Sequence, residues 1–270
     1  MQRFLKLVVM LLLAIWVMGW KAQAIGGVIK VETKTTVKIS GDLLEVIIAA
    51  KNNGTSPAHN VQVNLMVLNE ELNAPVEPVI KPGDSKTARF KKTLGRIKKG
   101  RYPLTVRVDF YDANQYPFSA VSGMTFHYKE DVNTDLITLG KDLTMEKKGM
   151  IKYDIKNLGT DTKNIRTSIV LPKELLVQEA TTDIVIDSRS EKTLMFPIGN
   201  FSALEGATYP IFCYFEFDSD DTHYTKVVRT QVNIVKKGNL FRKFRWLWIV
   251  LTIILTSAFI AVIIKNYKSK

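Results

Sequence analysis

The sequence predicts an all-β chain of two tandem sandwich domains followed by one C-terminal transmembrane helix, and three observations carry that prediction. The first is an internal repeat. Lys51-Asn52-Asn53-Gly54-Thr55 returns as Lys156-Asn157-Leu158-Gly159-Thr160, His59-Asn60-Val61 as Lys163-Asn164-Ile165, and Tyr102-Pro103-Leu104 as Tyr209-Pro210-Ile211, in the same order at offsets of 104 to 107 residues. The spacing of Ile80, Lys86, Thr87 and Phe90 also recurs as Ile186, Lys192, Thr193 and Phe196. A period this long means tandem domains, not a solenoid of short repeats. The second observation is a succession of short alternating or β-branched runs with no helical pattern between them. The third is a single uncharged apolar stretch near the end of the chain.

Taken in order, the chain begins with a secretory signal. Arg3 and Lys6 precede an apolar run from Leu7 to Trp20, and Ala22-Gln23-Ala24 offers the small residues that a signal peptidase accepts. The run is 14 residues long, short of the roughly 20 that span a bilayer, so cleavage after Ala24 is expected. No cysteine stands near the cleavage site, which excludes a lipoprotein.

The first repeat, residues 25–128, reads as strands at 28–39, 43–51, 60–68, 85–90, 103–111 and 120–128. Gly41-Asp42, Asn52-Asn53-Gly54 and Lys81-Pro82-Gly83-Asp84 supply the positive-φ and fixed-φ positions that reverse the chain. Leu104, Val106, Val108 and Phe110 alternate with Thr105, Arg107, Asp109 and Tyr111, the pattern of a strand with one wet face. The second repeat, residues 129–235, carries strands at 151–156, 165–171, 182–186, 192–197, 210–217 and 224–235. About seven short strands per 100 residues, with regular turns, predict an immunoglobulin-like sandwich. Two in series make a rod.

The run Lys51-Asn52-Asn53-Gly54-Thr55, then Ala58-His59-Asn60-Val61-Gln62-Val63, then Ile80-Lys81-Pro82-Gly83-Asp84-Ser85, then Gly100-Arg101-Tyr102 leading into Val108-Asp109-Phe110, resembles the CARDB and NEW3-type sandwich domains of prokaryotic surface proteins. The resemblance covers residues 25–235 and implies that the N-x-G motif turns between two strands and that the Pro-Gly loop precedes another. The second copy has Asp187-Ser188-Arg189-Ser190 where Pro82-Gly83 stood. These motifs are structural turns, so what they imply is a fold and a cell-surface setting, with no activity attached.

Residues 236–245 form a basic juxtamembrane segment with Lys236, Lys237, Arg242, Lys243 and Arg245. From Trp246 to Ile264 run 19 residues without a charge, about 28 Å of helix, which matches the hydrocarbon core. Trp246, Trp248 and Tyr267 sit where amphipathic rings prefer the interface. A signal peptide commits the downstream chain to export, and long domains translocate regardless of their charge. The body is therefore expected outside the cytoplasm, at the cell surface or in the periplasm, with residues 265–270 as a cytoplasmic tail.

The formal charge of +12 points to nucleic acid only until it is divided along the chain. Three cations lie in residues 1–24 and eight in 236–270, leaving 27 against 26 acids in the body. A nearly neutral exported body argues against a nucleic-acid partner. The lone Cys213 has no disulfide partner and reads as a small buried hydrophobe.

No catalytic, cofactor or metal motif stands out. His59, His127 and His223 have no metal-ligand spacing, and no nucleophile elbow, Walker loop or dinucleotide fingerprint occurs. Asp218, Asp220 and Asp221 beside His223 could offer oxygens to calcium but read as a solvated hairpin tip. Asn53 and Asn200 begin glycosylation triplets. The residues from Arg89 to Arg101 carry seven cations in thirteen, and Lys91, Lys92, Arg96, Lys98, Lys99 and Arg101 are the candidate contact site for an anionic partner. The rival reading of these cations is a strand edge whose lysines discourage edge-to-edge pairing. All four tryptophans lie in the signal or the apolar helix, which lowers a lectin role. The expected function is non-enzymatic: a single-pass membrane protein presenting its domains for contact with a protein or an envelope polymer. The alternative is an accessory subunit of a transport, secretion or envelope-assembly complex, with Thr252, Thr256 and Ser257 packing its helix against a partner.

Overall fold

A computed structural model describes residues 27–235 and 245–268. The expected signal peptide, most of the basic juxtamembrane segment and the last two residues lie outside them. The N-terminal half forms β1 (Val31–Ser40), β2 (Leu43–Asn52), β3 (Ala58–Val67), β4 (Glu70–Asn73), β5 (Glu77–Ile80), β6 (Ser85–Thr93), β7 (Lys99–Tyr111) and β8 (Pro117–Tyr128). The C-terminal half forms β9 (Leu136–Lys141), β10 (Leu143–Met145), β11 (Lys148–Asn157), β12 (Lys163–Val170), β13 (Leu175–Val177), β14 (Thr181–Ile186), β15 (Glu191–Asn200), β16 (Thr208–Ser219) and β17 (Thr222–Ile234). Both halves are all-β, as the alternation predicts. One helix, α1 (Arg245–Lys268), follows.

Each half closes its own core between two sheets. In the first, β1-β2-β6 lays Leu44, Val46 and Ile48 against Leu65, Leu104, Val106 and Val108. In the second, β13-β15-β11-β9 lays Ile151, Tyr153 and Ile155 against Ile211, Cys213 and Phe215. Cys213 is fully buried, and burial pushes its thiol up and keeps it protonated. Among the described residues, both cores are built from residues 29–234 and take no member from α1.

The repeated motif has one physical job in both halves. Asn52 and Asn157 are fully buried. The Asn52 amide donates to the Ser56 carbonyl at 2.8 Å and the Ile80 carbonyl at 3.0 Å, and its Oδ1 accepts from the Gly54 N–H at 3.0 Å. Asn157 does the same with Asp161 at 2.7 Å, Asp187 at 3.1 Å and Gly159 at 3.1 Å. A buried side chain that satisfies three backbone groups fixes the turn and ties it to a second loop.

Two expectations need correction. Gly41 and Gly83 have positive φ as expected, but Gly54 does not. Gly54 is bare because the chain entering β1 crosses it: a Cβ there would sit 2.1 Å from the Val28 carbonyl oxygen and 2.7 Å from the Lys30 nitrogen. The second correction concerns the rod. One ten-stranded sheet runs through both halves, with seven strands ordered β14-β12-β16-β17-β7-β3-β4 and with β10 on β17, β5 on β3 and β8 on β7, joined where β17 meets β7 in parallel register at Thr222 with Lys99 and His223 with Gly100. The halves therefore lie side by side, folded back on each other at the short link between β8 and β9. The chain enters beside the Asn52 turn, where the Thr55 N–H bonds the Val28 carbonyl at 2.7 Å, and β3 brings that turn next to Tyr111. It leaves at Val235, whose N–H bonds the Met145 carbonyl at 2.9 Å. Tyr116, in the turn between β7 and β8, reaches to 3.5 Å from the Ser202 carbonyl, so entry and exit share one end of the body.

The helix α1 has 24 residues. Within 246–264 the side chains of Trp248, Ile249, Ala258, Ile260, Ile263 and Ile264 lie outside the described ones, and among the described residues no helix is long and apolar enough to cross a membrane. The membrane span expected at 246–264 therefore rests on the sequence.

Candidate functional site

The six basic residues do not form one open patch. Lys91 is exposed on β6, and Arg96 is exposed in the loop after it. Lys92 is ion-paired with Glu70. Lys98 reaches across to the other half, with its ammonium 2.9 Å from Asp218 and 3.0 Å from the Asp220 carbonyl. Lys99 pairs with Glu130 at 2.7 Å, which raises its pKa, and Arg101 pairs with Asp131 at 3.2 Å. Among the described residues, only Lys91 and Arg96 of the six have no ion pair. The rest neutralise local acids or help to build a joint between the halves.

That joint is built from a glycine, stacked rings and paired charges. Gly100 has φ +136°, and a Cβ on it would lie 2.0 Å from the His223 carbonyl oxygen. The absence of a side chain is what lets β7 and β17 touch. The His223 ring stacks on Tyr102 with centroids 4.3 Å apart at 12°. Its Nδ1 lies 2.7 Å from Asp218 and its Nε2 3.3 Å from Glu216. Thr225 donates to the Arg101 carbonyl at 2.7 Å.

Further along the seam, Tyr214 is 2% exposed. Its hydroxyl lies 2.9 Å from Thr105 Oγ1 and donates to the Leu104 carbonyl at 3.0 Å, and burial pushes its pKa up to about 12. Phe212, Tyr214 and Val121 form a third apolar cluster against Val170 and Val227. Gly123 leaves room for it, since a Cβ there would meet the Tyr214 hydroxyl at 2.4 Å. At the other end of the seam, buried Glu174 accepts from the Ser119 N–H at 2.8 Å and its hydroxyl at 2.7 Å, while Lys173 pairs with Asp109 at 2.8 Å. The face of β7 expected to be wet is thus covered around Thr105 and Asp109.

Burial alone would lower the His223 pKa, but the hydrogen bonds to Glu216 and Asp218 outweigh it and hold the ring above its ordinary value. Asp218 is the mirror case: burial raises it, and Lys98 and His223 together bring it below the carboxylate range. A raised histidine stabilises the folded state below its unfolded pKa of about 6.5, and that contribution is lost as pH rises through the folded value. A depressed aspartate contributes above its unfolded pKa of about 3.9 and loses that contribution as pH falls through the folded value. The joint is therefore tightest in mildly acidic solution between the two titrations. Thermal stability is expected to decline as pH rises through the His223 titration, and the decline should flatten in His223→Gln. A wild-type alkaline limb identical to that of the variant would remove His223 as its cause.

Beside the joint, Asn69, Arg166, Asp183, Glu216, Asp218 and His223 contribute to the lining of a cleft of about 520 Å³. Asp218 is engaged by Lys98 and His223, and among the described residues no group of acids, histidines and cysteines is arranged to hold a metal. Asn53 is exposed, with its amide on Glu32 at 2.7 Å. The Asn200 amide is tied to the Glu146 and Ala203 carbonyls at 3.1 and 3.2 Å, so it holds its loop together.

No family model matches the chain, and no curated protein matches it. Among solved structures, trypsin-activated alpha-2-macroglobulin from Escherichia coli is 12% identical with a TM-score of 0.31, the match covering 76% of this chain and 18% of that one. Red sea bream transglutaminase is 12% identical with a TM-score of 0.27, covering 77% of this chain and 31% of that one. The chain thus spans less than a third of either protein's length. Similarity this low fixes no activity.

Proposed function

We propose that the protein is an exported, single-pass membrane protein whose two immunoglobulin-like halves act as one rigid, non-enzymatic module for contact with a protein or an envelope polymer. The observation that carries this reading is the joint. Buried polar side chains such as Asn52, Asn157, Glu174, Tyr214 and Thr225 all engage backbone or the opposite half, which is the use of polarity expected in a scaffold. The uncharged run at 246–264 supports the anchor, and the signal at 1–24 supports export.

The anionic-contact site narrows to Lys91 and Arg96, because the other four cations have partners. A Lys91→Glu, Arg96→Glu double variant is expected to lose binding to anionic envelope polymers and to weaken the salt dependence of what remains, with melting temperature unchanged. Lys98→Glu is expected to do the reverse, lowering stability because it sets a like charge against Asp218. Binding and thermal melts of both variants check the pair. Equal binding by the double variant and wild type would return Lys91 and Arg96 to the role of solvated strand edge.

The accessory-subunit alternative rests on hydroxyls along α1. Thr256 donates to the Thr252 carbonyl at 2.6 Å and Ser257 to the Ile253 carbonyl at 2.8 Å. These two are satisfied within their own helix, so they do not favour a partner helix.

A further inference from the structure

We propose that the end of the body from which the chain leaves is a lipid-seating surface, with Phe201, Leu204, Val235 and Tyr116 resting in the boundary between headgroups and acyl chains. The proposal rests on the membrane-anchor reading. Phe201 is 71% exposed, the highest value among the described large hydrophobics, and Leu204, Val235 and Tyr116 stand at 49%, 42% and 41%. Single exposed apolar residues need no explanation, but four brought together from three segments do.

Backbone hydrogen bonds set them at one end. The Phe201 and Ser202 N–H groups bond the Glu174 carbonyl, Gly206 bonds Ile234, and Asn200 bonds Lys147. The loop at 201–207 is therefore stitched to the strand that carries the chain out, and Tyr116 arrives from the other half against Ser202. Exposed Lys147 and Lys148 rim this end, and Lys236 and Lys237 come directly after Val235 in the sequence. The acids at this end are Glu146 and Glu205, with Asp112 in the turn of Tyr116, so the four lysines exceed them by one. An apolar tip followed in sequence by lysines is a composition that an anionic bilayer surface accepts.

Chain length supplies the occupant. Nine residues separate Val235 from the start of α1 at Arg245, and an extended chain covers at most about 3.5 Å per residue. The exit end therefore stays within roughly 30 Å of the bilayer that α1 enters, and no other end of the body is held so close.

The test uses full-length protein in vesicles of phosphatidylcholine and phosphatidylglycerol. Cys213 is fully buried, so an environment-sensitive fluorophore attaches selectively to an introduced cysteine. Phe201→Cys is compared with Asp221→Cys in the turn at the opposite end. The expected result is blue-shifted emission at position 201, quenched by acyl-chain quenchers, with position 221 remaining in water. In parallel, the fragment 25–235, which holds both described cores, should bind the same vesicles, and a Phe201→Ser, Leu204→Ser variant should bind about tenfold more weakly or worse at an unchanged melting temperature. Protein that survives an alkaline carbonate wash while its 201 label stays in water overturns the seating and leaves the anchor standing. Release by that wash overturns the anchor and the seating with it. A shift at 201 that grows with the protein-to-lipid ratio assigns the tip to a second copy and also overturns the proposal.

Discussion

Gly100→Ala is expected to separate the two halves while leaving each core intact. Alanine at φ +136° is strained by itself, at about 1–3 kcal/mol, and its Cβ would fall 2.0 Å from the His223 carbonyl oxygen, a backbone atom that cannot swing aside. Relief requires β17 to leave β7, which takes the Tyr102 stack, the Lys98 ion pair and the Thr225 hydrogen bond with it. X-ray scattering should report a larger radius of gyration, and denaturant unfolding should split from one transition into two. Gly41→Ala is the control: φ is +59° there, but nothing lies within 4 Å of the new methyl, so only the local backbone preference of about 1 kcal/mol is lost. If both variants scatter and unfold alike, the joint does not hold the halves together.

The second large effect is expected at the buried asparagines. Asn52→Ala strands the Ser56 and Ile80 carbonyls and the Gly54 N–H, and Asn157→Ala strands their counterparts. Leaving a buried polar group unpaired costs about 1–3 kcal/mol, so each variant should lose roughly 3 kcal/mol or more. For a body of this size that is a fall in Tm of about 6–12 °C. Their neighbours decide whether the motif or the individual side chain matters. Asn53→Ala, which gives up only an exposed bond to Glu32, and Leu158→Ala, at an exposed position, should each stay within about 0.5 kcal/mol. A small effect at Asn52 or Asn157, or an equal one at Asn53, would show that the turn does not depend on the buried amide.

Those asparagines mark how far the sequence could be read. Their repetition at equal spacing announced equivalent turns, because a side chain that must satisfy three backbone groups cannot be exchanged freely. The strands were legible for a similar reason, since a two-faced sheet imposes its period on every residue. The joint was not legible. Gly100, Gly123, Tyr102 and Glu174 act through partners 50 to more than 100 residues away, and no local period records such a contact. One signal was present: Ile211-Phe212-Cys213-Tyr214-Phe215 has no polar alternation, as expected of a strand covered on both faces. Its counterpart, Leu104 to Tyr111, kept polar residues on one face, and Thr105 there found a hydroxyl partner instead of water. The pairing within the basic cluster was not legible either, because charge counts along the chain do not show Glu70 of β4, Asp218 of β16 and the acids after β8 folding onto it.

Because the halves double back instead of standing end to end, the body is only one strand tall. Twelve to thirteen residues of β16 or β17 extend about 40 Å. For a protein anchored as proposed, that height and a tether of about 30 Å set a limit of roughly 70 Å on its reach above the bilayer. Under that anchoring, a partner has to come down to that layer to be reached.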